Sequence, residues 1–458
     1  MKPKSWLRRV LQVRLLASDI LIKRILLLLS LTIGLASPGA EPYGRGKQLT
    51  LAYVLALTLQ HSPDLSAFSW EIRSAEARIL QAKLIPNPEI SLEGENLTTP
   101  GSSQNNNAIQ NTLRLSQLIE LGGKRGLRIR EAQFDWETTR WDYQVKRLEV
   151  LKLTSTAFID VLAAQRSLEL AEEGLAIAEA AVPVTQNRVE AGKASDVELV
   201  RTNTAVATAR IELEEAQRDL QTARLNLTAQ WGEKRASFPS VIGNLEQVRE
   251  PPPLETLNAK LRRNPNLARW TAEREKREAT LNAARGEAKP DLTLQAGPRL
   301  IGTNPIDVTM VAGVSIPLPL WNRNQGKITE AETDLAKVAD ERAAAEARAY
   351  ADLNEAYQTL AHAVEEARVL REKVLPGAKS AVDQITQGYS DGRFSQLDVL
   401  EAQKSYNESR TEYVRALATY QKAQAQIDAL TAGPIELPRT SGPVSNTYRK
   451  AKEEALRK

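Results

Sequence analysis

The sequence predicts a mainly α fold with a small membrane β part, in which one unit of helix, strand pair and long helical hairpin occurs twice. Three observations predict it. Landmarks recur: His61-Ser62-Pro63-Asp64-Leu65 returns as Arg263-Asn264-Pro265-Asn266-Leu267, and Pro86-Asn87-Pro88-Glu89-Ile90-Ser91-Leu92 returns as Ala288-Lys289-Pro290-Asp291-Leu292-Thr293-Leu294, with Pro63/Pro265 and Pro88/Pro290 separated by one common offset. Each copy carries two short segments in which apolar and polar residues alternate. Each then enters a run of about sixty-five helix-forming residues that turns at a glycine and comes back.

Composition narrows the function classes. The 458 residues include 26% charged and 5% aromatic side chains, and mean hydropathy is -0.37. That excludes a bundle of transmembrane helices and favours long helices and coiled coils. Net charge is +4, but basic and acidic residues interleave as on solvated helix faces, so no nucleic-acid surface is read. There are no cysteines, hence no disulfide, thiol nucleophile or Cys-ligated metal. The two histidines, His61 and His362, are too few for a three-His zinc site. No G-x-S-x-G, H-E-x-x-H or Walker loop is present; Gly122-Gly123-Lys124 lacks the upstream Gly and the Ser/Thr. Neither an enzyme nor a cofactor is expected, so any energy for transport must come from a partner.

The elements follow in order. Residues 1–36 read as a signal peptide: Lys23-Arg24, the apolar run Ile25 to Leu35, and small residues at Gly34-Leu35-Ala36 before a cleavage site. No Cys follows, so a mature chain starting near Ser37 without an acyl chain is expected. The first repeat is placed at 48–232. Leu49 to Leu84 is helical with a break at Pro63, and Pro86 and Pro88 stop it. Strands are expected at about 89–97 and 108–119, where Ile90, Leu92, Leu113 and Leu115 alternate with polar residues. The second repeat, 250–433, places its strands at about 291–301 and 307–317, with Val308, Met310, Ala312, Val314 and Ile316 on one face. Each strand is about ten residues, enough to cross a membrane when tilted.

Long helices are expected from about Lys124 to Val189 and from about Asn322 to Gln387. Val161, Leu168, Leu175 and Val182, like Leu353, Leu360, Ala367 and Val374, recur every seven residues, which keeps one seam against a partner helix. The return helices carry Leu199, Val206, Leu213, Leu220 and Leu227, matched by Val399, Tyr406, Tyr413, Tyr420 and Ile427. Residues 434–458 form a C-terminal tail, a surface strap or a disordered extension.

Lipid permits no open sheet edge, and the smallest outer-membrane barrels have about eight strands. Four strands per chain therefore require several chains. The strand pairs sit at one end of each helical hairpin, so the helices continue out of the barrel on one side. The result is a conduit. Two other readings stay open from the residues alone, a periplasmic adaptor and a coiled-coil scaffold. An adaptor would show one hairpin between lipoyl-like half-motifs rather than two hairpins, each with a strand pair.

The order of elements over residues 48 to 433 resembles the TolC-like outer membrane efflux proteins. The resemblance also rests on Gln117-Leu118-Ile119-Glu120-Leu121-Gly122-Gly123-Lys124-Arg125, the Pro-Asp/Glu strand starts, and Gly388-Tyr389-Ser390-Asp391-Gly392 leading into Asp398-Val399-Leu400-Glu401-Ala402. It implies a homotrimer in outer-membrane lipid, with a twelve-stranded β-barrel continued by a twelve-helix periplasmic α-barrel. It also implies a periplasmic adaptor and an inner-membrane pump of the proton-driven RND type as partners. The Ile-Glu-Leu-Gly-Gly-Lys-Arg form looks most like the branch paired with heavy-metal cation pumps.

In that family the periplasmic tip is narrowed by acidic residues and tied by Tyr and Arg contacts. The matching positions here are Asp398, Glu401 and Tyr389, a candidate periplasmic gate. Phe394 occupies the family's Arg position, with Arg393 one residue earlier, a departure from the pattern. Asp398 and Glu401 are three apart and share a helix face, so three chains would stack two acidic rings favouring cations. Crowding is expected to raise some of these carboxyl pKa values. The other copy has Glu198 and Arg201 there. Two Gly-centred turns, with Gly192, Lys193 and Ser195 in one and Gly392, Arg393 and Ser395 in the other, are expected to be adaptor-docking tips.

Overall fold

The computed structural model describes residues 48–96, 109–302 and 305–432. The expected signal peptide and C-terminal tail lie outside them. The described residues belong to a unit of Gln48–Ala236 with Ser240–Lys458, apart from Ser237–Pro239, which group with Met1–Lys47.

In the first copy, β1 (Leu49–Thr50) leads into α1 (Leu51–His61), where the Thr50 hydroxyl accepts from the Tyr53 N–H. Pro63 opens α2 (Pro63–Ala82) at a position where its missing N–H costs nothing. Then come β2 (Glu89–Glu95), β3 (Gln110–Ile119), α3 (Lys124–Glu190) and α4 (Asp196–Ala229). A short β4 (Val241–Ile242) pairs in parallel with β1. The second copy runs α5 (Leu254–Leu261), α6 (Pro265–Glu287), β5 (Leu292–Ile301), β6 (Asp307–Ser315), α7 (Gln325–Val369), a π-helical turn (Leu370–Val374), α8 (Leu375–Ser390) and α9 (Gln396–Thr431).

At 67 residues, α3 is about 100 Å long. Its counterpart in the second copy is interrupted. Pro376 lies in the first turn of α8, and the π turn before it re-routes the carbonyls that its ring and missing N–H disturb. Pro183 sits inside α3 without such a break.

The seven-residue seam is tightest where α7 and α9 meet α5. Leu353, Leu360, Tyr420 and Ile427 are buried with Ala356, Ala363, Leu257 and Leu261. A second cluster joins Ile159, Leu245, Ala367, Leu370 and Leu417. Toward the far ends Leu168, Leu175 and Val182 are half-buried in the protomer. Elsewhere the walls are held by charge: Asp135 takes Arg78 at 2.8 Å and Lys276 at 2.8 Å, and Arg269 meets Asp142 at 3.0 Å. Burial pushes the Asp135 carboxyl up, but hydrogen bonds from Lys276 and Arg78 outweigh it and hold it below the ordinary range. Such half-exposed pairs contribute about 0–1 kcal/mol each; they orient helices more than they stabilise them.

The sheet is antiparallel in the order β2-β3-β5-β6. Its register places Ile90 opposite Leu115 and Leu92 opposite Leu113. Leu294 lies opposite Val314 and Leu300 opposite Val308. These side chains are exposed and share one face, because alternate residues of a strand point the same way. The other face is polar: Arg114 pairs with Glu93 at 2.6 Å, and Arg299 donates to Thr112 at 3.0 Å. Apolar outside and polar inside is the pattern of a membrane barrel wall. Among the described residues no helix is long and apolar enough to cross a membrane.

One close approach inside the sheet is severe. Pro298 has no N–H for the ladder, and the β3–β5 pairing skips Leu113 and Arg114. There the strands crowd together, and a Cβ on Gly297 would stand 1.9 Å from the Leu113 carbonyl oxygen. Gly297→Val is expected to cost at least about 1–3 kcal/mol through forced separation of the strands. A fall in the melting temperature of the membrane-extracted protein checks this; an unchanged melt would contradict it.

Candidate functional site

Both hairpins close with the same turn. In the first, Lys193 N–H donates to Arg188 O at 2.8 Å and Gly192 N–H to Val189 O at 2.9 Å; in the second, Arg393 N–H donates to Gly388 O at 2.7 Å and Gly392 N–H to Tyr389 O at 3.1 Å. Gly192 and Gly392 have φ of 69° and 78°, the left-handed cap that terminates a helix. A Cβ at either would meet nothing within 4 Å, so conformation and not crowding requires glycine. Lys193, Ser195, Arg393 and Ser395 stand around these turns. Arg393 binds Asp391 at 2.8 Å and does not reach Tyr389. The Phe394 ring lies over Gly388, where a Cβ would be 2.4 Å away.

The cation that ties the tips comes from the first copy. The Arg188 guanidinium sits 4.3 Å from the Tyr389 ring centroid and donates to the Tyr389 carbonyl at 3.4 Å. The Tyr389 hydroxyl donates to Glu198 at 3.4 Å. Around them Thr185 and Thr202 share a hydroxyl contact of 3.3 Å, and Gln396 donates to Thr202 at 3.3 Å. Tyr389, Thr185, Thr202 and Gln396 are all buried. Burial, reinforced by the Glu198 carboxylate, raises the Tyr389 phenol above its ordinary value against the pull of Arg188. The neutral phenol is thus the form that fits; its contribution holds below the ordinary tyrosine range and is lost only as pH rises through the raised value.

Asp398 and Glu401 lie in the first turns of α9. Asp398 caps its own helix. Its Oδ2 accepts from the Ser395 N–H at 2.8 Å and O–H at 2.7 Å, while Ser395 Oγ accepts from Asp398 N–H at 3.3 Å. This is a capping box. The Ser395 hydroxyl and N–H hold the Asp398 carboxyl below its ordinary range, the reverse, within the protomer, of the rise expected from crowding. Glu401 is exposed. Among the described residues no group of His, Asp and Glu could hold a metal ion.

Sequence reasoning missed Arg188 and Glu198 as partners of Tyr389. A signal existed: they occupy the places of Gly388 and Asp398 in the other copy, so each copy differs at the tip in a complementary way.

A family model described as outer membrane efflux protein matches residues 54–233 and 256–433. The chain belongs to the outer membrane efflux protein family. It is 34% identical over 382 residues to the cobalt-zinc-cadmium resistance protein CzcC of Cupriavidus metallidurans, across 83% of this chain and 90% of that one. A membrane protein from Pseudomonas aeruginosa has the same fold, with a TM-score of 0.72 at 18% identity over 85% of this chain and 92% of that one. So does the outer membrane protein VceC from Vibrio cholerae, with a TM-score of 0.67 at 17% identity over 84% and 97%. This outer membrane efflux protein is a trimeric channel, not an enzyme, with a large periplasmic portion; it works with a periplasmic adaptor and an inner-membrane pump.

Arg188→Ala removes a cation–π contact of about 0.5–2 kcal/mol and is expected to loosen the hairpin ends. Amide hydrogen exchange should speed up several-fold over residues 385–400 and not in β3 or β5. Unchanged exchange at the tip would contradict the latch.

Proposed function

We propose that this channel exports divalent transition-metal cations delivered by a proton-driven RND pump through its adaptor. The observation that carries this reading is the likeness, over nine-tenths of its length, to a cobalt-zinc-cadmium resistance protein. The acidic start of α9 supports it. Asp398 keeps one carboxylate oxygen outside the capping box, and Glu401 is exposed one turn on. Three copies would bring six carboxylates together, a negative potential that attracts cations without binding them tightly. The Gly192 and Gly392 turns are the adaptor-facing tips in this reading, and Tyr389 is the gate's hinge contact.

Restoring the gene with its pump and adaptor to a strain lacking all three should raise the tolerated Co²⁺, Zn²⁺ or Cd²⁺ concentration several-fold. Unchanged metal tolerance with raised tolerance to organic compounds would overturn the cargo. In planar bilayers, Asp398→Ala with Glu401→Ala should lose most of the cation preference and the block by polyvalent cations. Retention of both would place the selective ring elsewhere.

A further inference from the structure

Where the two copies meet, α1 and α3 of copy one and α9 of copy two wall a groove of about 830 Å³. That is the size of a pocket that holds a ligand or a short peptide segment. Leu55, Phe158, Ile159 and Ala425 give it an apolar lining. The linker after β4 is tied down beside it. Gln421 donates to Leu245 O at 3.2 Å and to Gln247 O at 3.3 Å, and the Arg249 N–H donates to the Tyr420 hydroxyl at 2.9 Å. The walls are therefore fixed in place, and no described residue fills the space between them.

The chain's own end begins at this groove. Ala432, which follows α9, lines it and leaves the helix in an extended conformation, with φ of -65° and ψ of 136°. The next residues are Gly433-Pro434-Ile435-Glu436-Leu437-Pro438. Each proline biases the residue before it toward extended backbone. Alternation along an extended segment sets Ile435 and Leu437 on one side and Glu436 on the other. Length agrees. From Gln421 to Ala432 the groove follows α9 for about 16 Å, and an extended chain from Ala432 to Leu437 reaches at most about 18 Å. Charge agrees too. Arg249 lines the groove, its guanidinium has no ion-pair partner among the described residues, and Glu436 is the first carboxylate beyond α9. The segment at the other end of the chain is unsuited, since residues 37–47 contain no Ile, Leu or Val.

We propose that residues 433–438 seat in this groove of their own chain as an extended strap, with Ile435 and Leu437 against the apolar lining and Glu436 toward Arg249. Removing two large aliphatic side chains and the groove's lining from water drives the seating. The consequence is mechanical. Both copies wall the groove, so the strap ties α1 and α3 to α9 where the described packing leaves a gap. The polar run Arg439-Thr440-Ser441-Gly442 marks the end of the strap.

The chain has no cysteine, so paired substitutions report directly. Ser155 lines the groove, and Ser155→Cys exchanges only its oxygen for sulfur. In the purified full chain, oxidised without other proteins present, Ser155→Cys with Ile435→Cys should form a disulfide within one chain. It should run as a single chain in denaturing gels and appear as linked peptides in mass spectrometry. Ser155→Cys with Ser445→Cys should yield several-fold less. Independently, Ile435→Asp with Leu437→Asp should speed trypsin cleavage after Arg439 several-fold, since a strap with two carboxylates in place of its apolar side chains does not seat. A disulfide formed chiefly between chains would assign the groove to the tail of a partner subunit. Equal yields from the two cysteine pairs, or cleavage unchanged by the aspartates, would show a tail that does not seat. Each of these results overturns the proposal.

Discussion

The structure depends on one constraint: a backbone edge cannot be left unpaired in lipid. Each unmet N–H or C=O in hydrocarbon costs several kcal/mol, and in the protomer β2 and β6 are both edges. A four-stranded sheet with one apolar face therefore exists in a membrane only as part of a larger ring. The direction of the helices follows from the same sheet. β2 enters from α2, β3 leaves into α3, β5 enters from α6 and β6 leaves into α7, so all four junctions lie at one sheet end. Every helix is thereby committed to the same side of the membrane.

Beyond the membrane the physics changes. The helix walls bury mostly Ala, Leu and Thr and are tied laterally by ion pairs that are individually weak. Apolar packing is concentrated where the helices meet α5, around Leu353, Leu360 and Ile427. The tips have less of it and rely on local devices: two left-handed glycine caps, one capping box and one cation–aromatic contact. The two copies share the caps and divide the rest. Copy one supplies Arg188 and Glu198; copy two supplies Tyr389 and Asp398. Duplication gives the same scaffold twice, and divergence at a few tip positions makes the two hairpins partners.

The fold class was legible because its periods are simple. Alternation in Ile90, Leu92, Val308 and Met310 and seven-residue recurrence in Leu353 and Leu360 survive in any single sequence. The π turn was not legible, since Pro183 and Pro376 look alike in sequence and only tertiary context separates them. Arg188 escaped for a related reason. It lies far in sequence from Tyr389, and a resemblance that places the cation near position 394 points to the wrong hairpin. The Ser395 to Asp398 spacing carries its own local meaning as a helix cap, which the acidic-ring reading obscured.

Closure of the ring by copies of this chain is the central claim, and native mass measurement of the detergent-extracted protein tests it most directly. A single species of three chains is the predicted result. A stable monomer, its apolar sheet face and both edges covered by detergent alone, would contradict it.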